Sequence, residues 1–230
     1  MDFKRGMKDS VPIALGYFSV SIAFGLMAVE AGCTYMEAVL ISAANLTSAG
    51  QFAGLTVLAS AGTYIEMALT QLVINSRYAL MAVSLSQKAD EKLRGIWRWL
   101  LGFAITDEIF AVAIGRKGSV SREYFSGLII FPIIGWSAGT LLGAVMGSVL
   151  PQLMTNALGI ALYAMFIAVV VPKSREDRRV LAVVAIAVAA SGAMYFIPAL
   201  SAVSSGTAII ICAVLASAAG AVLFPVKEDE

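Results

Sequence analysis

Residues 38–58 read AVLISAANLTSAGQFAGLTVL, two apolar halves separated by the polar stretch from Asn45 to Gln51. The apolar segment that contains them extends over 35–62, although a helix needs only about 20 apolar residues to cross the hydrocarbon core of a bilayer. Irregular backbone at that depth is tolerated only where protein or a water-filled cavity surrounds it. This stretch therefore predicts a broken or re-entrant membrane helix rather than a plain span.

The composition of the whole chain indicates an integral membrane protein. Of its 230 residues, 60% are hydrophobic and 13% are charged, with a mean hydropathy of +0.87, whereas soluble domains have about 25% charged residues. Apolar segments lie near 11–30, 35–62, 63–87, 95–115, 123–149, 153–172, 180–197 and 205–225. We expect an all-α polytopic helical bundle with about six to eight membrane segments, forming a single transmembrane transporter domain over 1–230. The first segment is too long for a typical signal peptide and is interpreted as a membrane helix.

Several functional classes are excluded or disfavoured by residue type. The net charge of +1 gives no argument for nucleic-acid binding. The chain contains no histidine, which excludes a histidine proton relay, a histidine metal site and a Ser-His-Asp triad. The two cysteines, Cys33 and Cys212, lack metal-ligand spacing and are interpreted as small apolar residues. We expect no cofactor and no metal site.

The basic residues constrain the topology, because they cluster between apolar segments. The clusters are Lys4, Arg5 and Lys8; Lys88, Lys92, Arg94 and Arg98; Arg116, Lys117 and Arg122; Lys173, Arg175, Arg178 and Arg179; and Lys227. The positive-inside rule places all of them on the cytoplasmic side, which simple alternation through eight spans cannot achieve.

Two re-entrant segments of opposite sidedness resolve this conflict. If 35–62 dips in from outside and 95–115 from inside, every basic cluster and both termini become cytoplasmic. This gives six full spans and two broken hairpins in an inverted arrangement, as in transporters built from inverted repeats. Seven full spans with one loop that violates the rule is the alternative, and cysteine accessibility at positions 62 and 118 distinguishes them.

Polar and ionisable groups inside a bilayer are costly, so each needs a reason. In the first polar cluster, Gly50 permits unwinding or close approach of the backbone, and the half-helix after it presents free N–H groups and a positive dipole end. Such an end attracts a carboxylate, for instance that of an amino acid, and Thr47 and Ser48 are candidate caps for this half-helix. We expect Thr47, Ser48, Gly50 and Gln51 to contact the substrate; simple small-residue helix packing is the alternative.

The second cluster contains Asn75 and Arg77 in the segment 63–87. A charged side chain at this depth is either paired or lines a pathway, although Arg77 could also extend toward the cytoplasmic surface. Asn75 is a further candidate for substrate binding. On a regular helix it points roughly away from Arg77, so both face one cavity only if the helix is irregular.

The third cluster is Thr106, Asp107 and Glu108 within 95–115. Two adjacent carboxylates within an apolar segment are the most unusual feature of the sequence. Because the chain has no histidine, they are the best candidates for proton coupling. Arg77 is their plausible partner. A structural ion pair, or a helix start with Asp107 near the N-cap, is the alternative.

Glycines recur at four-residue spacing in the segment 123–149. They are Gly127, Gly135, Gly139, Gly143 and Gly147, with position 131 breaking the series. This spacing is typical of closely packed membrane helices. We interpret these glycines as architecture rather than as a site.

The three polar clusters together resemble the AzlC family. The similar motifs are Ser48-Ala49-Gly50-Gln51-Phe52-Ala53, then Asn75-Ser76-Arg77-Tyr78, then Ile105-Thr106-Asp107-Glu108-Ile109-Phe110-Ala111. The resemblance implies the large subunit of a bacterial branched-chain amino-acid exporter that works with a small AzlD-type membrane partner. Some relatives have Asp where this chain has Asn75, so the resemblance does not support a coupling role there. The chain has no P-loop, so nothing supports ATP hydrolysis.

We predict that the protein is a secondary transporter in a bacterial-type inner membrane and not an enzyme. It would export valine, leucine, isoleucine and analogues, with the carboxylate at Ser48 to Gln51 and the ammonium or a proton at Asp107 or Glu108. A passive channel or a structural subunit is the second class. An intramembrane enzyme is disfavoured, because paired catalytic carboxylates need to converge from different elements.

Overall fold

The computed structural model describes residues 2–93, 95–147, 167, 170–198, 200 and 203–225. Within them the regular structure is helical, which confirms the predicted all-α class. The helices are α1 (Asp2–Glu30), α2 (Tyr35–Ala44), α3 (Ala49–Ala59), α4 (Tyr64–Lys88), a 3-10 turn (Glu91–Leu93), α5 (Ile96–Gly102), α6 (Asp107–Gly115), α7 (Arg122–Gly147), α8 (Arg178–Phe196) and α9 (Ser205–Leu223). Most of the predicted segment 153–172 lies outside the described residues.

Four of the described helices are long and apolar enough to cross a membrane, namely α1, α7, α8 and α9. Helix α4 has 25 residues, but Glu66 and Arg77 interrupt its apolar sequence. The number of full spans therefore stays a prediction.

Both apolar segments with polar interruptions are broken helices, as predicted. Helices α2 and α3 have 10 and 11 residues, and α5 and α6 have 7 and 9 residues. At about 1.5 Å per residue, none of the four reaches the roughly 30 Å of a hydrocarbon core. Each can extend only part of the way across a bilayer.

The chain divides into two compact units that interleave along the sequence. The first unit comprises Met1–Phe52 and Asn75–Gly159, and the second comprises Ala53–Ile74 and Ile160–Glu230. Helices α3 and α4 each contribute residues to both units.

In the first unit, α1 and α7 pack backbone against backbone, and glycine makes this possible. A Cβ atom at Gly135, Gly139 or Gly143 would lie 2.6, 2.3 and 2.0 Å from the carbonyl oxygens of residues 14, 18 and 22, respectively. Such distances are far below van der Waals contact, so the approach requires glycine. The predicted architectural role of these glycines is confirmed.

The register of this packing shows that α1 and α7 are parallel. From Gly135 to Gly143 on α7, the contacted residue on α1 advances by the same eight positions. If both helices span the membrane, the chain between them makes an odd number of crossings. Three apolar segments lie between α1 and α7. If only one of them were re-entrant, the other two would give two crossings, an even number, and the two helices would be antiparallel.

Three of the basic clusters meet at one end of the first unit. Arg116 and Ser121 bind the two carboxylate oxygens of Asp2 at 3.1 and 2.9 Å. The Val120 N–H donates to the Lys88 carbonyl at 2.9 Å, and the Lys88 ammonium donates to the Arg116 carbonyl at 2.5 Å. The start of α1, the end of α4, the end of α6 and the start of α7 therefore lie together.

It follows that α5 and α6 form a broken hairpin that leaves this end and returns to it. The chain departs after Lys88 and is back at Arg116, which the Lys88 ammonium contacts. In between, Thr106 lies against Tyr17, near the middle of α1. The tip of the hairpin, residues 103–106, thus reaches the middle of the α1–α7 pair.

Helix α2 reaches the same level from the opposite end. Its start at Tyr35 follows closely on the end of α1 at Glu30, and a capping box between Thr34 and Glu37 fixes that start. Further along, Ser42 hydrogen-bonds Thr140 of α7 at 2.7 Å.

The two linkers share one apolar core in the first unit. Leu46 from the α2–α3 linker and Ile105 from the α5–α6 linker are 2% and 9% exposed, and they belong to the cluster that contains Tyr17 and Trp136. Burial of these side chains stabilises both breaks by about 2 kcal/mol per residue. The core therefore holds two interruptions of the helical backbone next to each other.

In the second unit, Glu66 of α4 caps the start of α9. One carboxylate oxygen accepts hydrogen bonds from the Ser204 hydroxyl at 2.5 Å and from the Gly206 and Thr207 N–H groups at 2.8 and 3.2 Å. A carboxylate at a helix N-terminus satisfies free N–H groups and interacts favourably with the helix dipole. Glu66 therefore has a structural role, which accounts for one charge in an apolar region.

Candidate functional site

The first part of the site joins α1 to the start of α6. The Tyr17 hydroxyl lies 2.5 Å from the Thr106 hydroxyl and 2.6 Å from a carboxylate oxygen of Glu108. Tyr17 is 8% exposed and packs edge-on against the Trp136 ring at 5.4 Å between centroids. The tyrosine is therefore held by packing and presents its hydroxyl to two of the predicted residues.

The second part of the site joins α6 to α4 and to the α2–α3 linker. The Arg77 guanidinium lies 2.7 Å from the Asp107 carboxylate and donates to the Tyr78 hydroxyl at 3.1 Å. Tyr78 in turn donates to the Thr47 carbonyl at 3.3 Å. A continuous chain of polar contacts thus connects one helix break to the other.

Local sequence explains how α6 presents its charges. Thr106 is the N-cap, and its hydroxyl accepts a hydrogen bond from the Ile109 N–H at 3.4 Å. Asp107 and Glu108 occupy the first turn, where the helix dipole favours negative charge. The sequence placed Asp107 near a cap, and the structure assigns the cap itself to Thr106.

The linker between α2 and α3 differs in detail from the sequence-based expectation. The backbone turns at Ser48, which has a φ of +45°, and Gly50 lies inside the first turn of α3. The left-handed conformation is strained for a residue with a side chain. The unwinding was expected at Gly50, but it occurs just before it.

The capping role predicted for Thr47 is wrong. Its hydroxyl is buried and has no hydrogen-bond partner among the described residues, while its N–H group bonds the Asn45 side-chain oxygen at 3.2 Å. The turn is thus organised by an Asx-type contact from Asn45. In the first turn of α3, the Gly50 N–H group donates instead to the backbone carbonyl of Thr47 at 3.2 Å.

Gln51 is anchored in the interior of the first unit. Its amide nitrogen donates to Ser42 at 3.1 Å, and Ser42 is hydrogen-bonded to Thr140. Gln51 is 3% exposed, and its side-chain oxygen has no partner in the described part of the chain. A buried amide oxygen without a partner costs about 1–3 kcal/mol, so it is ready to accept a hydrogen bond.

Asn75 lies on the same continuous helix as Arg77. Residues two positions apart on a regular α-helix are rotated by about 200° around its axis. The side chains of Asn75 and Arg77 therefore point to different sides, as the sequence suggested for a regular helix. The structure therefore pairs Arg77 with Asp107 of α6 without placing Asn75 beside this pair.

An apolar cavity of about 1090 Å³ adjoins the site in the first unit. It lies between the second half of α4, the α5 hairpin and Phe125 of α7. Its lining includes Leu85, Leu101 and Ile105, with Arg98 and Ser86 as its polar members. Ile105, which directly precedes Thr106, is part of its wall, so the cavity borders the break between α5 and α6.

The charged groups are accessible on this unit. The side chains of Arg77 and Asp107 are 44% and 48% exposed, although they lie at the level of the middle of α1. Lipid at this depth would make such exposure cost several kcal/mol.

Two residues of the cluster were missed as functional candidates from sequence. Tyr17 was hidden in an apolar segment, where an aromatic residue carries no signal for a hydrogen-bonding role. Tyr78 was noticed only as part of a family motif. Tyrosine has an apolar ring and one polar tip, so only its neighbours reveal its function.

The sequence profile of one protein family, described as AzlC protein, matches residues 12–150. All residues of the site, from Tyr17 to Glu108, fall within the matched range. No solved structure is significantly similar to this fold.

Individual relatives agree with a membrane location. The chain is 30% identical over 201 residues to the inner membrane protein YgaZ of Escherichia coli, which covers 84% of this chain and 82% of the relative. It is 29% identical over 191 residues to a membrane protein of Archaeoglobus fulgidus, covering 81% and 84% of the two chains. It is 21% identical over 180 residues to the branched-chain amino acid transport protein AzlC of Bacillus subtilis, covering 77% and 70%.

Proposed function

Because the chain belongs to the AzlC family, we propose that it is a secondary transporter that exports branched-chain amino acids across a bacterial-type inner membrane. Valine, leucine, isoleucine and their analogues are the proposed substrates, and an ion-motive force drives the export. The distant relative named as a branched-chain amino acid transport protein supports this substrate class.

The observation that carries the proposal is the meeting of two helix breaks beside an apolar cavity. Interrupted helices expose backbone donors and acceptors that bind the charged ends of a small zwitterion. The cavity of about 1090 Å³ is large enough for an aliphatic side chain and offers mainly apolar walls. Charged groups next to apolar surface suit an amino acid with a branched hydrocarbon side chain.

The proposed contacts divide between the two breaks. Thr47, Ser48, Gly50 and Gln51 bind the substrate from the α2–α3 side, where the Gln51 side-chain oxygen has spare hydrogen-bonding capacity. Asn75 is retained as a substrate contact from α4. On the α6 side, the coupling and ion-pair residues are Arg77, Thr106, Asp107 and Glu108.

We further propose that a small AzlD-type membrane subunit completes the transporter. The half-exposed side chains of Arg77 and Asp107 support a need for additional covering at this face. A partner, a water-filled path or another part of this chain would each keep the two charges away from lipid and so lower the free-energy cost of placing them at membrane depth. The subunit is therefore included in the functional test.

Counterflow in proteoliposomes tests the proposed activity. Vesicles that contain the chain and its small partner are loaded with unlabelled valine and diluted into labelled valine. A transporter accumulates labelled valine inside the vesicles transiently above its equilibrium level. The reason is that each unlabelled valine carried out returns the binding site to the outer face, where labelled valine binds and is carried in. Lysine, which shares the zwitterionic end but carries a cationic side chain, should produce no counterflow.

The result also separates the alternative functions. A passive channel equilibrates label without overshoot, and a structural subunit gives uptake equal to protein-free vesicles. Absence of counterflow with the partner present would contradict the exporter proposal.

The topology proposed for the chain is six spans and two hairpins, with both termini and all basic clusters in the cytoplasm. Residues 62 and 118 are poor sites for a cysteine, since a Cβ at Gly62 would lie 2.6 Å from Val57 and Gly118 has a φ of +82°. The exposed residues Ser60 and Ser119 are near-isosteric alternatives.

Labelling of Ser60→Cys and Ser119→Cys therefore tests the topology, in a chain whose Cys33 and Cys212 have been replaced by alanine. A membrane-impermeant maleimide added to intact cells from which the outer membrane barrier has been removed should label position 60 and spare position 119. Both positions should react after permeabilisation, which controls for accessibility. Protection of position 60 in intact cells would contradict the hairpin at 35–62.

A further inference from the structure

We propose that Glu108 is the carboxylate that carries the coupling proton, and that Tyr17 positions it. The inference rests on the proposed transport function. It assigns different roles to two adjacent acidic residues whose roles the sequence alone could not distinguish. Asp107 serves as the fixed charge of an ion pair, whereas Glu108 exchanges a proton during the transport cycle.

The contacts of Asp107 argue against a proton-carrying role for it. Its carboxylate lies 2.7 Å from the Arg77 guanidinium, and arginine remains charged at all physiological pH values. Protonating Asp107 would leave that guanidinium without its counter-charge at membrane depth, which is costly. The pair is therefore most stable with both groups ionised.

Glu108 has a different environment. Its hydrogen bond within the described residues is to the neutral Tyr17 hydroxyl at 2.6 Å. The titratable and charged groups that face it are Tyr17 from α1, Tyr78 from α4 and Asp107 from its own helix, with Arg77 already engaged by Asp107. A proton on Glu108 thus breaks no ion pair.

The hydroxyl groups around Glu108 can accommodate either protonation state. Tyr17 has one hydroxyl proton but two close partners, Thr106 at 2.5 Å and Glu108 at 2.6 Å. When Glu108 is ionised, Tyr17 donates to it and accepts from Thr106. When Glu108 is protonated, its O–H donates to the Tyr17 oxygen, and Tyr17 donates to Thr106.

Both states therefore keep these two hydrogen bonds, and the change requires only rotation of hydroxyl hydrogens. Glu108 is also exposed at the surface of the unit, so a proton can reach and leave its carboxylate without passing through packed side chains. Tyr17 is buried and braced by Trp136, which makes it a positioning residue and not a proton store.

The test compares two kinds of transport in the same proteoliposomes, reconstituted with the small partner. Valine counterflow requires the site and the conformational change but no net proton movement. Net valine transport driven by an imposed pH gradient requires coupling as well. A coupling carboxylate and a structural carboxylate therefore give different patterns when they are neutralised.

For Glu108→Gln we expect counterflow to be retained, while gradient-driven transport falls by about tenfold or more and its pH dependence is lost. The matched control, Asp107→Asn, should lose both activities, because it leaves Arg77 unpaired. For Tyr17→Phe we expect counterflow to be retained and the pH profile of net transport to shift. Glu108→Asp, which keeps an ionisable group, should restore part of the gradient-driven transport.

Each other outcome overturns a stated claim. Loss of counterflow in Glu108→Gln, or retention of pH-dependent driven transport, contradicts the role of Glu108. An unchanged pH profile in Tyr17→Phe contradicts the positioning role. If the wild-type protein shows no counterflow of valine with its partner, the proposed function fails and this inference fails with it.

Discussion

Arg77→Gln should reduce valine transport by about 30-fold, a loss of about 2 kcal/mol at 1.36 kcal/mol per tenfold. The substitution removes the cation that lies 2.7 Å from Asp107 and leaves that carboxylate unpaired. Removing one partner of a fully buried pair costs about 3–5 kcal/mol. The expected value is smaller here because the two side chains are 44% and 48% exposed, which screens their charges.

The loss should exceed the effect on the ion pair alone, because Arg77 also contacts Tyr78. The guanidinium donates to the Tyr78 hydroxyl at 3.1 Å and lies 4.9 Å from the centre of its ring. Tyr78 in turn reaches the carbonyl of Thr47 in the other helix break. Glutamine is too short to hold this geometry, so the two breaks become uncoupled.

Transport and folded yield should be measured together, with Arg175→Gln as the matched control. Arg175 is exposed in the described structure, lies outside the polar cluster, and should tolerate the change. The double variant Arg77→Gln/Asp107→Asn removes both charges and should recover folded yield without recovering transport. Normal transport in Arg77→Gln would show that the ion pair is dispensable.

Gly143→Ala should destabilise the protein by about 2 kcal/mol and lower its apparent melting temperature by about 5 °C. The new Cβ would lie 2.0 Å from the Ile22 carbonyl oxygen on α1, a backbone atom that cannot move independently of its helix. Helices α1 and α7 must therefore separate along a contact that extends over most of their length. Separation also loosens the support of Tyr17, which packs against Trp136 of α7.

Gly16→Ala on α1 is the control, since a Cβ at Gly16 meets no atom within 4 Å. It changes the same residue type in the same helix pair, and alanine favours a helix over glycine by about 1 kcal/mol. Its melting temperature in detergent should be unchanged or raised. Equal melting temperatures for Gly143→Ala and the wild type would contradict the close packing of α1 on α7.

Much of the architecture follows from local sequence. Apolar length identifies the membrane helices, because the thickness of the bilayer sets a minimum that soluble helices need not meet. The positive-inside rule indicates that two apolar segments turn back within the membrane, and the polar interruptions at 45–51 and 106–108 identify 35–62 and 95–115 as these segments. The four-residue glycine spacing likewise indicates a contact face on α7.

Other features of the site depend on which segments meet. The sequence could not tell whether Arg77 pairs with a carboxylate or extends toward the surface, because the choice depends on where α6 lies relative to α4. It also placed the unwinding at Gly50, whereas Ser48 adopts the left-handed conformation. Glycine permits such a turn without requiring it, so composition alone does not locate it.

The sequence by itself determined that the apolar segment 35–62 breaks between residues 45 and 51, because the segment is longer than one span needs, carries a polar stretch midway, and must turn back if the basic clusters are to lie on one side. The division of roles between Asp107 and Glu108 required the folded chain. The two acids are adjacent and chemically alike, and they differ only in their partners, Arg77 for one and Tyr17 for the other. Those partners are 30 and 91 residues away along the chain, and only the packing of α1, α4 and α6 brings them to the carboxylates.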